Sequence, residues 1–341
     1  MRRLVICIVS ILLIAAGAFL LWLYHELATP YLAGGDQEQF IKIPHGAGTK
    51  EIADALQRGG ALHATLPFVL YVRWTGLGRR LQAGEYRFSA PARPQEVVRR
   101  LLLGDVYFRT VVIPEGLTAQ ETIALLTRRG FGDAREMTDL MYRVDWISDL
   151  DPKAEDLEGY LFPETYRFPR QTSSEEILRV MVNQFRTRTS RLLAATPLPP
   201  GWDLRQIVTL ASMIEKEAGT AEERRLVSSV LTNRLRTKIP LACDPTIIYA
   251  MKLAGAYHGN LRKTDLSMDT PYNTYLHPGL PPGPIANPGI DSLGAALSPA
   301  VSDYLFYVAR NDGTHVFSKD LQSHAAAVAR YQKRGSRPPA R

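Results

Sequence analysis

Glu215 and Glu217 close the most apolar stretch of the chain after its N-terminus, Leu-Arg-Gln-Ile-Val-Thr-Leu-Ala-Ser-Met-Ile-Glu-Lys-Glu-Ala over residues 204–218. Leu204, Ile207, Val208, Ala211 and Ile214 recur at the i, i+3, i+4, i+7 spacing of a helix with one core-facing stripe. Asp203 is placed to cap that helix. Glu215 comes four residues after Ala211 and seven after Val208, which puts it on the edge of the buried stripe. Glu217 follows Leu210 and Met213 in the same way on a neighbouring face. Desolvation disfavours a charged carboxylate, so either acid is expected to have a pKa raised toward the range of a general acid at neutral pH. A plainer account has both glutamates solvating a helix end or pairing with Lys216 and nearby arginines, and this helix alone does not separate the two.

Other segments carry side chains of matching chemistry. Thr270 to Gly289 holds six prolines and three glycines in twenty residues, which excludes a helix or a central strand. A long rigid loop of this kind is often functional. It presents Tyr272, Asn273 and Tyr275, an aromatic-plus-amide set suited to stacking on and hydrogen-bonding to sugar rings; a structural clamp is the alternative. Glu158 and Tyr160 lie in the polar segment Leu157–Tyr166. Asp244, in Cys243-Asp244-Pro245-Thr246, reads as the cap of a helix with proline at its first position. The seven histidines are scattered without ligand spacing, and two cysteines cannot build a cysteine-based zinc site, so no metal and no cofactor are expected. His277 is the one histidine inside the proline-rich loop.

These residues need a scaffold, and the sequence outlines it twice. Ile41-Lys42-Ile43 runs into the turn Pro44-His45-Gly46, and Val111-Val112-Ile113 into Pro114-Glu115-Gly116. After each turn comes a helical pattern, 49–58 and 118–129, closed by glycine. Ala83–Phe88 alternates like a strand and Pro94–Leu103 reads as a helix, so residues 40–106 are expected to form a β-α-(α)-β-α unit. Thr220 and Glu223 have the spacing of a capping box for the next helix. Residues 304–317 read as a hairpin turning at Asn311-Asp312-Gly313. A helix over 323–331 and a basic, disordered tail follow.

With 45% hydrophobic and 22% charged residues, most of the chain is expected to fold, in two domains or one elaborate one. The net charge of +7 is spread along the chain rather than clustered, which argues against nucleic acid as a partner. Arg2 and Arg3 precede an uncharged stretch from Leu4 to Tyr24, long enough for one transmembrane helix. The arginines are expected to stay cytoplasmic and everything from about His25 onward to lie outside the cytoplasm. A cleaved signal peptide would have a shorter apolar core, although Leu27-Ala28-Thr29 is a conceivable cleavage site. Cys7 and Cys243 then belong to different compartments, so no disulfide is expected.

Four segments together, Leu157–Tyr166, Ala211–Glu217, Asp244–Tyr249 and Tyr272–Gly289, resemble the signature segments of the endolytic murein lytic transglycosylases, the YceG-like family. Their order behind one N-terminal anchor is similar as well, and the likeness covers about residues 1–335. Ala218 and Ala250 depart from the threonine and glycine more usual there. The resemblance implies a lyase of the bacterial cell wall, cutting the β-1,4 bond between N-acetylmuramic acid and N-acetylglucosamine of nascent peptidoglycan strands and leaving 1,6-anhydro ends. It makes Glu215 the catalytic acid/base, with Glu217 as the fallback. Glu158, Tyr160, Glu217, Asp244, Tyr272, Asn273 and Tyr275 are the residues expected to line the substrate groove. Cell-wall synthases are the implied partners and the inner membrane the implied location.

The fold class expected is α+β: a tip at 1–3, a transmembrane helix at 4–24, a linker at 25–39, a LysM-like subdomain at 40–106, a mixed catalytic domain at 107–335 and a basic tail at 336–341. A second reading is a non-catalytic, membrane-anchored glycan-binding scaffold for cell-wall synthesis. A third, a hydrolase of the lysozyme kind, needs a second carboxylate facing Glu215, for which Asp244 and Glu158 are the candidates.

Overall fold

A computed structural model describes residues 2–35 and 37–332, so the basic tail at 336–341 lies outside the described residues. The chain divides into two compact units, one formed by residues 1–109 and 167–171, the other by 110–166 and 172–341. Secondary structure is mixed, and the described residues carry three two-stranded sheets.

The first unit opens with helix α1 (Arg2–Ala28), whose apolar side chains are almost all exposed and which is long and apolar enough to cross a membrane. Then come β1 (Gln39–Ile43), α2 (Thr49–Arg58), α3 (Thr65–Thr75), β2 (Gly84–Phe88) and α4 (Pro94–Leu103), the element order read from the sequence. Strands β1 and β2 pair antiparallel, Gln39 opposite Phe88 and Ile43 opposite Gly84. That register points Ile41, Ile43, Tyr86 and Phe88 into one core with Leu56, Phe68, Val97 and Leu101. A period-two pattern on the strands meets a period-3.6 pattern on the helices, so both bury the same apolar faces.

Strands β3 (Arg109–Val112) and β4 (Thr165–Phe168) each span a division between the units, and the second unit contains α5 (Ala119–Arg128), α6 (Ala134–Leu140), α7 (Ser174–Ala195), α8 (Leu204–Glu217), α9 (Arg224–Thr237), α10 (Asp244–Leu253), α11 (Ile290–Leu297), β5 (Phe306–Ala309), β6 (His315–Ser318) and α12 (Leu321–Tyr331). Its centre is α8, packed against α9, α10 and α11. Every residue from Ile207 to Ile214 is buried, more than the single stripe expected. Each fully buried Ile, Val, Leu or Met contributes roughly 1.5–3 kcal/mol, which lets one helix end hold a carboxyl out of water without losing the fold. Asp203 caps α8 through Gln206 N, and Gln206 returns the bond in a capping box.

Two local readings of the sequence are corrected. Glu223 does not complete a capping box: α9 starts at Arg224 with no side-chain cap, because both Glu223 oxygens are taken by His315, through its N–H at 2.7 Å and its Nδ1 at 2.8 Å. The His315 backbone amide and ring nitrogen together occupy both carboxylate oxygens, leaving none for a helix-end amide. Asp244 likewise begins α10 without capping it; its Oδ1 accepts the Tyr275 hydroxyl at 2.7 Å.

Candidate active site

Glu215 sits where four segments of the second unit converge. Helix α8 supplies the residue itself, with a side chain only 7% exposed. Arg224, the first residue of α9, brings Nη2 to 3.4 Å from Glu215 Oε1. The end of the proline-rich loop brings Gly289, whose N–H donates to Oε2 at 3.0 Å. The turn before α5 brings Glu115, whose Oε2 lies 3.4 Å from the same Arg224 Nη2. Lys216 faces this turn too, donating from Nζ to Gly116 O at 3.0 Å.

The loop reaches this place because its second half is bolted to the framework. Ile285 N donates to the buried Ser212 hydroxyl of α8 at 3.0 Å. Asn287 is 1% exposed; its Oδ1 accepts Leu161 N at 2.9 Å and its Nδ2 donates to Leu117 O at 3.0 Å. Backbone bonds tie the same strip together, Asn287 N to Leu117 O and Gly116 N to Asn287 O. Gly159, at φ +89°, lets Pro284 pack directly on the backbone. The prolines restrict the chain and the asparagine fixes its register, so Gly289 is delivered to Glu215 by a rigid path.

Glu115, Arg224, Asn287 and Gly289 carried no functional assignment in the sequence. The signal available was the repeated Pro-x-Gly turn, whose middle residue is His45 in one copy and Glu115 in the other. The glycine of each copy has φ +77°, the left-handed conformation that glycine adopts without strain. Burial and the neighbouring Glu215 raise the Glu115 pKa above the usual carboxyl range; Asp291 adds to this and Arg224 opposes it.

Glu217 points elsewhere. It lines a cavity of about 550 Å³ with Asp244, Tyr275, Tyr307, His315 and Arg234. Burial pushes its pKa up to about 6, with Asp244 adding to the rise and Tyr307, His315 and Arg234 opposing it. Asp244 and Tyr275 therefore meet Glu217 as a group. The free thiol of Cys243 is buried beside them, with its pKa raised by desolvation.

Glu158 belongs to a third place. It is buried, and both its oxygens accept Ala119 N, at 3.0 and 3.1 Å, at the start of α5. With Asp156, Tyr249 and Lys252 it lines a separate recess of about 290 Å³. Burial pushes its pKa up to about 8 against the opposing amide bond. Tyr272 packs on Tyr249 with ring centroids 5.0 Å apart, and burial pushes its hydroxyl up to about 12.

Tyr160 and Asn273 are both fully buried. Tyr160 packs against Phe185 and donates its hydroxyl to Asp151 at 2.5 Å. The Asn273 amide ties Leu266 O, Met268 O and Tyr275 N, which shapes the loop that presents Tyr275. His277 is exposed beside Asp269 at 3.2 Å. Among the described residues no group of three or more His, Cys, Asp or Glu side chains is placed to hold a metal ion.

The fold thus presents a buried carboxyl at the end of a core helix, with an arginine on one oxygen and a loop amide on the other. The YceG-like family model matches residues 41–330, and the chain belongs to that family. It is 31% identical over 335 residues to the endolytic murein transglycosylase of Bacillus subtilis (strain 168), covering 94% of this chain and 91% of that protein. The protein of the same name from Streptococcus pneumoniae (strain ATCC BAA-255 / R6) is 26% identical over 355 residues, covering 95% of this chain but 64% of the longer relative. A crystal structure of a YceG-like protein from Listeria monocytogenes matches with a TM-score of 0.56 at 29% identity, over 85% of this chain and 98% of that one.

Proposed function

We propose that this chain is an endolytic murein transglycosylase that cuts the β-1,4 bond between N-acetylmuramic acid and N-acetylglucosamine in nascent glycan strands. The observation that carries this reading is the setting of Glu215, 7% exposed and held between Arg224 and the Gly289 amide. The names of relatives that match over nearly the whole chain supply the substrate class.

In the proposed reaction the Glu215 carboxyl gives its proton to the glycosidic oxygen as the C1–O bond breaks. The resulting carboxylate takes the proton of the muramic 6-hydroxyl while that oxygen bonds to C1. The product ends in 1,6-anhydro-muramic acid, no water is consumed, and Glu215 returns to its starting state. Arg224 and the Gly289 N–H are placed to offset the charge on Glu215 between the two steps. One carboxyl is sufficient because the substrate supplies the nucleophile. A lysozyme-like hydrolase needs a second carboxylate set across the bond, whereas Asp244 bonds to Tyr275 and Glu158 to Ala119.

Glu217, Asp244 and Tyr275 share one cavity, which supports a role for them in holding the strand. Helix α1 supports single-pass anchoring in a membrane; a site outside the cytoplasm and cell-wall synthases as partners belong to the same proposal. The β-α-α-β-α order of residues 40–106 supports a LysM-like module.

The test is mass spectrometry of un-crosslinked glycan strands after incubation with the full chain, wild type beside Glu215→Gln. Anhydro ends made by the wild type and absent with the mutant are expected. Reducing ends that have gained water would make the enzyme a hydrolase, and no cleavage by the wild type would leave a glycan-binding scaffold.

A further inference from the structure

Glu115 is the only acidic side chain besides Glu215 that the described residues bring within hydrogen-bonding range of Arg224. It arrives from a turn 100 residues earlier in the chain, and it differs from Glu215 in exposure, 42% against 7%. The backbone of Gly289 lies between them. Its N–H is bonded to Glu215, and a Cβ on it would fall 1.8 Å from Glu115 Oε1. Arg224 is itself fixed, donating from Nε to the buried Ser292 hydroxyl at 3.1 Å.

The charges facing this place come from four elements. Helix α8 contributes Glu215 and Lys216, the latter tied to Gly116 O; α9 contributes Arg224; α11 contributes Asp291; the turn contributes Glu115. A single guanidinium at hydrogen-bonding range thus faces two carboxyls. Two like charges in one partly desolvated site raise the cost of ionising both, and Glu215 is among the causes that raise the Glu115 pKa. If Arg224 closed onto Glu215 alone, the ion pair would hold Glu215 as a carboxylate, unable to start the reaction as an acid.

We propose that Glu115 is a positioning residue for Glu215: by sharing Arg224 it keeps the guanidinium from closing fully on Glu215, which leaves Glu215 able to carry a proton. This rests on Glu215 being the acid/base of the proposed reaction. Glu115 does so without touching the scissile bond. Its effect is read in the pH at which Glu215 works, not in whether the site is assembled.

The experiment is the pH profile of kcat/KM for anhydro-product formation by the full chain in nanodiscs, for wild type, Glu115→Gln, Glu115→Asp and Glu215→Gln. Removing the Glu115 charge takes away a like charge and frees Arg224 for Glu215. The alkaline limb, where the general acid loses its proton, is expected to move to lower pH in Glu115→Gln. Most of the loss at neutral pH is expected in kcat rather than KM, and Glu115→Asp should restore part of the shift. A limb that stays in place while the rate falls at every pH would reduce Glu115 to a structural tie and overturn the proposal. Should Glu115→Gln be too slow to profile, 13C-NMR titration of labelled glutamate carboxyls reads the same shift in the resting protein, and an unmoved Glu215 titration overturns the proposal equally. An active Glu215→Gln enzyme would instead overturn the acid/base assignment, whatever Glu115 does.

Discussion

The Gly289 amide donates to Glu215 Oε2 at 3.0 Å, and the space where a side chain on Gly289 would begin is occupied by the Glu115 carboxyl. Gly289 has φ −75° and ψ 172°, a conformation open to any residue, so the requirement for glycine here is steric. Alanine would meet Glu115 Oε1 at 1.8 Å. Because the obstructing atoms belong to the end of a flexible, half-exposed side chain, the fold should tolerate Gly289→Ala by swinging Glu115 aside. Activity is expected to fall by about 10–100-fold, the scale of a 1 Å misplacement in a catalytic group. Strand-cleavage assays beside thermal melts check this, and a variant that is fully active would detach Glu115 and Gly289 from the chemistry.

Asn287→Ala should weaken both fold and activity. The buried amide group is the partner of Leu161 N and Leu117 O, and its loss leaves the Leu161 N–H without its acceptor. An orphaned buried donor costs about 1–3 kcal/mol. Gly289, two residues further on, loses its register at the same time. Urea unfolding and cleavage rates measured on one preparation should fall together; a destabilised variant with wild-type turnover would show that the loop end holds its place by other means.

Tyr160→Phe is expected to behave differently. The hydroxyl bonds only within the framework, to Asp151, which Arg205 also holds at 2.6 Å. Stability should drop by about 1–2 kcal/mol while kcat/KM for strand cleavage stays near the wild-type value. A loss of substrate affinity at unchanged stability would return Tyr160 to the groove.

Glu158 predicts a pH-dependent stability. Its folded-state pKa of about 8 lies above the ordinary value of 4.5, so between those values the folded protein holds a proton that the unfolded chain has released. Stability from this group is therefore full below about pH 4.5 and declines as pH rises toward 8, by up to 1.4 kcal/mol per pH unit. Glu158→Gln removes that dependence. Urea unfolding at pH 5, 6.5 and 8 should show the wild type losing ground to the mutant as pH rises, by on the order of a few kcal/mol in all. A constant difference would mean that Glu158 is ionised in the folded protein at pH 5.

What the sequence disclosed and what it hid follow from the range of the interactions. The apolar stripe of Leu204–Ile214, the Asp203 cap and the β-α-α-β-α order of the first unit are local patterns, and all three are read from spacing. The six prolines announced a rigid loop but not which residue it delivers; Tyr272 and Tyr275 have the side chains suited to a sugar, whereas the loop atom that reaches Glu215 is a backbone amide at Gly289. Glu223 has the spacing of a capping box, yet His315, 92 residues away, takes its carboxylate. Glu115 lies 100 residues from Glu215, and no periodicity connects them. Wherever a partner comes from distant sequence, the local rule gave the residue its place in an element but not its job.

The two Pro-x-Gly turns each close on a left-handed glycine at φ +77° and differ in what the middle position carries. His45 stands exposed on the first, Glu115 on the second. Since proline and glycine set the conformation, the residue between them is free of folding duty and open to exchange. The turn acts as a socket: its shape is inherited with the strand and helix on either side, while the group it holds can be replaced without rebuilding either. A histidine in the second socket, or a glutamate in the first, would alter the chemistry of the chain and leave its architecture in place.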